Sequence, residues 1–260
     1  MATIAQRNPV LLALQWASLD VLSGGRTWLA ACMGYPASQH PMAAKELEVM
    51  GIQSKERPGR LEEMLQALRV LWTDEHASFH GKYYSFNDVN LLPKPAQKHC
   101  PIYIAGTPRP NQIGERGVER SLRRIARYAD GWMSNQIELS MFQDYQGRLR
   151  KMRVEEGRDS DAFKTVLYYG VAVDPDRDEA FRQAKTFLDA YYQKDFTRHG
   201  VEIWTACGPV EHCIDCLQGF IDAGVDHVAI RPIGDDLNKQ FDIFLQELLP
   251  ALSAAAGNAV

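Results

Sequence analysis

Pro101-Ile102-Tyr103-Ile104-Ala105-Gly106, then a polar loop, then Ser121-Leu122-Arg123-Arg124-Ile125-Ala126-Arg127-Tyr128-Ala129-Asp130-Gly131-Trp132-Met133-Ser134-Asn135, is the stretch around which the chain is organised. Ile102 to Ala105 is a short apolar run after a proline, the pattern of a buried parallel strand. Gly106, Thr107, Pro108 and Pro110 break it. Leu122, Ile125, Ala126 and Ala129 recur at helical spacing with arginines between them, and Trp132 to Asn135 begins another strand. The unit is strand–loop–helix–strand, with a glycine at the carboxyl end of its first strand, where α/β folds bind ligands.

The remaining chain repeats this alternation. Helices are expected at 9–22, 41–50, 59–73, 138–156, 177–194, 209–223 and 239–252. Strands are expected at 27–33, 165–173 and 227–233, with a hairpin or covering loop in 77–92. Phe196 to Trp204 reads as an aromatic-rich loop. Strands that alternate with helices imply parallel pairing and right-handed crossovers. No dinucleotide fingerprint, phosphate P-loop or nucleophile elbow stands at a strand end. A (β/α) barrel is therefore expected over a doubly wound sheet. The chain reads as one domain, 1–260, with 36–58 and 77–97 as inserted loops and 253–260 as a frayed tail.

Composition narrows the function. The 260 residues carry 29 basic and 33 acidic side chains, a net charge of −4, which argues against nucleic acid or an anionic membrane as partner. No apolar run reaches the roughly 18 residues of a membrane span. Arg7-Asn8-Pro9 followed by an apolar run faintly suggests a secretory leader. Asp20 and Arg26 follow closely, however, and an amphipathic helix continues to Gly24-Gly25. Five cysteines, an odd number, do not form a disulfide scaffold, so a cytoplasmic protein is expected. Cys213 and Cys216 form a CxxC near His212 and Cys207. They fall among the apolar positions of the 209–223 helix, so no metal site is assigned.

Several segments together resemble the luciferase-like family of flavin- or deazaflavin-dependent oxidoreductases. They are Arg7-Asn8-Pro9 with Ala13, Leu19-Asp20, Ser23-Gly24-Gly25-Arg26 and Gly34; Gly51-Ile52, Arg57, Arg60, Glu62-Glu63, Leu68 and Leu71-Trp72; Phe79, Gly81-Lys82-Tyr83-Tyr84 and Pro93-Lys94-Pro95-Gln97; the opening stretch; and Gly208-Pro209, Ala223-Gly224-Val225 and Leu249-Pro250. The resemblance implies a (β/α)8 TIM barrel whose first two to three strands are missing here, Met1 to Gln6 being the tail of the third. It implies a small organic substrate, FMN or alternatively a deazaflavin coenzyme, NAD(P)H or a flavin reductase as electron source, and a homodimer. A monooxygenase using reduced flavin and O2 is the expected activity. The alternatives are a deazaflavin-dependent dehydrogenase or reductase and a catalytically impaired flavin-binding paralogue.

In that family the phosphate-bearing tail of the cofactor lies on the loops after the fourth and fifth strands. A phosphate needs backbone N–H groups, hydroxyls and a cation. The residues implied for the cofactor are Met33, Gly34, Ala105, Gly106, Thr107, Arg109, Ser121 and Asn135. Many relatives carry arginine at Met33 and glycine at Ala30 and Cys32, and Arg109 could replace that arginine. The loop from Gly106 to the helix reads as long, with Ser121 near the helix start. Tyr35, His40 and Arg231 are expected at the substrate. A salt bridge from Arg231 to Asp235 or Asp236 is the structural alternative. No catalytic acid or base is assigned.

Overall fold

The computed structural model describes residues 1–35 and 41–257. Contacts divide the chain into two compact units: Met1–Trp132 with Leu149–Phe163, and Met133–Arg148 with the chain from Lys164 onward.

In the first unit β1 (Ala2–Thr3) and β2 (Leu29–Cys32) are separated by α1 (Pro9–Leu22). Asn8 caps α1, its Oδ1 accepting from the Leu11 amide at 3.0 Å, and Pro9 occupies the first helical position. Next come α2 (Pro41–Val49), α3 (Arg57–Thr73), the antiparallel hairpin β3 (Ala77–His80) and β4 (Ser85–Val89), and β5 (Ile102–Ala105). The strands β1, β2 and β5 are parallel and adjacent, with Thr3 opposite Cys32 and Ala31 opposite Ile104. Their carboxyl ends therefore lie side by side. Asp20, fully buried at the end of α1, accepts from the Thr27 hydroxyl at 2.6 Å and from the Gln97 amide side chain at 2.7 Å. That knot fixes where β2 and the connector before β5 begin.

α4 (Pro110–Tyr128) starts much earlier than the periodicity suggests. Pro110 opens it and Gly114, at φ 65°, kinks it, so the loop after Gly106 is short rather than long. Glycines at 114 and 117 weaken the helical signal of this segment. β6 (Gly131–Asn135) and α5 (Leu139–Glu155) carry the chain from one unit to the other and back.

The second unit is built on β7 (Lys164–Val173). After it come α6 (Arg177–Tyr192), α7 (Arg198–Glu202), β8 (Thr205–Gly208), α8 (Val210–Asp222), β9 (His227–Pro232), α9 (Leu237–Ile243) and α10 (Leu249–Gly257). Gly170 and Val171 partner residues of both β8 and β9, so the two strands lie on opposite edges of β7, and all three are parallel. β8 lies where the sequence suggests only the approach to a helix. The buried Gln240 side chain completes the end of β7, accepting from the Val173 amide at 2.9 Å and donating to its carbonyl at 2.7 Å. The expected frayed tail is helical to Gly257.

Candidate functional site

The carboxyl ends of β2 and β5 bring together most of the residues expected at the cofactor. Gly106 follows β5 at φ +130°, and a Cβ built on it would meet nothing within 4 Å. The backbone there therefore borders open space, which a ligand could fill. The Gly106 carbonyl accepts from the indole N–H of fully buried Trp132 at 2.8 Å. Ala105, the last residue of β5, is buried; Thr107 and Arg109 are half-buried in the loop and have polar partners of their own. The Arg109 carbonyl accepts from the Gln112 and Ile113 amides, which makes Arg109 the cap of α4.

After β2, Gly34 adopts φ +75°, and a Cβ there would come within 2.9 Å of Thr3 Cγ2. A residue outside the expected set organises this loop. Arg57, at the start of α3, directs one guanidinium nitrogen, Nη1, at the carbonyls of Met33 (3.4 Å), Gly34 (3.1 Å) and Tyr35 (2.8 Å). Burial lowers the Arg57 pKa without neutralising it. The chain thus places a cation behind this loop, supplied from a helix distant in sequence. Met33 is half-buried and Tyr35 is exposed.

Ser121 does not lie at a helix start. It sits well inside α4, and its hydroxyl donates to the Gly117 carbonyl at 2.9 Å, a back-bond within the helix. His40 lies outside the described residues.

In the second unit, Asn135 ends β6 and is half-buried. Arg231, next to last in β9, makes neither of the expected salt bridges. Asp235 pairs with Arg182, and Asp236 caps α9. The Arg231 guanidinium lies over the rings of Phe187 (4.4 Å) and Tyr191 (4.2 Å) and donates to the Tyr168 hydroxyl at 3.2 Å. Aromatic faces hold the cation without cancelling its charge.

Cys213 is fully buried on the inner face of α8, with its thiol against the carbonyls of Ala206 and Gly208. Burial pushes its pKa up to about 12, as it does that of Cys207. Among the described residues no group of three or more His, Cys, Asp or Glu side chains is arranged to hold a metal ion, and no helix is long and apolar enough to cross a membrane.

An F420-dependent glucose-6-phosphate dehydrogenase of Nakamurella multipartita is 24% identical over 271 residues, covering 96% of this chain and 75% of that enzyme. An uncharacterised protein of Mycobacterium tuberculosis is 33% identical over 134 residues, 52% of this chain. That match spans only 42% of the relative's own length. Two solved structures share the fold. One is an F420-dependent secondary alcohol dehydrogenase in complex with an F420–acetone adduct, with a TM-score of 0.78 at 20% identity over 97% of this chain and 77% of the other. The second, a monooxygenase from Streptomyces bottropensis, has a TM-score of 0.74 at 21% identity over 95% of this chain and 75% of the other. Residues 1–227 match the luciferase-like monooxygenase family, and the chain belongs to that family.

Proposed function

We propose that this chain is a flavin-type oxidoreductase of (β/α)8 TIM-barrel type, acting on a small organic substrate, with the cofactor tail held at the adjoining carboxyl ends of β2 and β5. The observation that carries this reading is Gly106. It is a positive-φ residue with open space on its Cβ side, beside the strand end whose loop Arg57 holds. Gly34, Gly106 and Thr107 would line the bound tail, and Arg57 and Arg109 would supply cationic charge. Trp132 fixes the Gly106 carbonyl, so the loop is positioned before the ligand arrives.

When bound, FMN or deazaflavin supplies the redox chemistry, and the protein supplies binding, orientation and exclusion of water. FMN with O2, as in a monooxygenase, is the first reading, with NAD(P)H or a flavin reductase as electron source. A deazaflavin-dependent dehydrogenase is the second, favoured by the F420-dependent relative that matches across 96% of the chain. Within the second unit, Arg231 is proposed to bind an anionic group of the substrate. A homodimer is the proposed assembly.

Titration of the purified chain with FMN and, separately, with F420, followed by cofactor fluorescence, tests the reading. Saturable binding of one cofactor, weakened in Gly106→Val, supports it. Binding of neither, by a chain whose circular dichroism shows it folded, overturns it. Reductase-supported oxygen uptake with FMN, or alcohol-dependent bleaching of F420 absorbance, then separates the two activities.

A further inference from the structure

A cleft of about 450 Å³ opens in the second unit over β8 and the first turns of α6 and α8. Its volume is in the range of small-molecule sites, roughly 300–1,000 Å³. None of the residues proposed for the cofactor or substrate lines it.

Two arginines line this cleft, and neither is held by a close carboxylate. Nη2 of Arg177 lies 3.2 Å from Nε2 of His212, and among the described residues no carboxylate pairs with it. Burial, followed by the charge of Arg177, lowers the His212 pKa, so its ring is neutral at pH 7 and accepts from the guanidinium. The remaining donors of Arg177 are not used by an ion pair. Arg198 lies over the Phe181 ring at 4.1 Å, and its contacts with Asp178 (3.9 Å) and Glu202 (3.7 Å) are longer than hydrogen bonds. Such exposed pairs contribute little and give way to a closer partner.

Thr205, 2% exposed, is also part of the lining, with its hydroxyl turned toward Gly170 and sealed from the open cleft. Cys207 and Cys216 also line the cleft. Burial raises both thiol pKa values, so these walls carry no thiolate to repel an anion.

We infer that this cleft binds a small organic anion, a carboxylate or a phosphate ester, with Arg177 and Arg198 forking onto the anionic group. Arginine suits this role because its planar fork matches both oxyanions.

Isothermal titration of the full chain at low ionic strength, with inorganic phosphate and separately with succinate, tests the inference. No cofactor is needed, so the outcome does not depend on the proposed redox activity. Saturable binding of at least one probe is expected. Phosphate alone points to a phosphate ester, succinate alone to a carboxylate. Arg177→Gln and Arg198→Gln should each weaken binding at least tenfold, while Arg182→Gln, outside the cleft, leaves it unchanged. The His212 ring, followed by NMR, should titrate at higher pH with the probe bound, because an anion beside Arg177 favours the imidazolium. Failure of both probes to bind overturns the inference. So does binding that survives both cleft substitutions, or binding that leaves the His212 titration unmoved.

Discussion

The Trp132 indole N–H donates to the Gly106 carbonyl oxygen at 2.8 Å, tying the start of one strand to the loop that ends its neighbour. Trp132 is fully buried, so no solvent can replace that donor. Trp132→Phe keeps a ring in the core and leaves the carbonyl without its indole partner. The expected cost is about 1–3 kcal/mol of unfolding free energy in urea titration. Cofactor affinity should fall in the same variant, because the loop backbone is no longer fixed. A variant with unaltered cofactor affinity would show that this hydrogen bond serves stability alone.

Arg57 should matter more for binding than for folding. It reaches three successive carbonyls of the loop after β2, from Met33 to Tyr35, yet is only half-buried. Arg57→Ala is expected to weaken cofactor binding about tenfold, roughly 1.4 kcal/mol, in fluorescence titration. Arg57→Lys should fall between the two, since a single ammonium keeps the charge but loses the planar fork.

Acid should loosen the first unit through Asp130. Its carboxylate accepts from Arg69, Arg158 (3.2 Å), His99 (2.9 Å) and the Ile102 amide (2.8 Å). Burial alone would raise its pKa, but the charge of Arg69 and these hydrogen bonds outweigh it and hold the carboxyl below its ordinary value. The sign follows. The folded pKa is depressed, so the contribution is fully present above the unfolded value, near 3.9, and is lost as pH falls through the folded one. Asp130→Asn should cost about 2–4 kcal/mol at pH 7 and flatten the fall of stability below about pH 4, measured by urea midpoints across pH.

Cysteine labelling should report the core of each unit. Cys100 in the first unit and Cys207 and Cys213 in the second are buried, with pKa values raised by burial to about 11, 12 and 12. At pH 8 a thiol reagent should leave these three unmodified in the native protein, as intact-mass spectrometry would show. In denaturant all five cysteines should react. Rapid native labelling of Cys213 would show that α8 opens locally.

The helices were largely legible because each carries its own signals. Asn8-Pro9 starts α1, Asp176 caps α6, and Leu61 to Trp72 of α3 bury one periodic face. β8 was not legible. Thr205 to Gly208 is too short to show alternation, and it is a strand because β7 offers it an edge from Gly170 to Val173. The start of α4 was hidden by Gly114 and Gly117, which a local reading treats as loop.

The candidate site divides in the same way. The sequence alone determined the strand ends, the glycines at 34 and 106 and the family resemblance, because each is written within a few consecutive residues. Only the tertiary structure decided what those residues face. It turned Ser121 back onto Gly117, laid Arg231 on Phe187 and Tyr191 instead of beside Asp235 or Asp236, and brought Arg57 to the loop of Met33. It also gathered Arg177, Arg198 and Thr205 around one cleft. The physical reason is that a long polar side chain takes its partner from whatever packing brings within about 3 Å. That neighbour is set by strand register and helix docking, which no short stretch of sequence encodes.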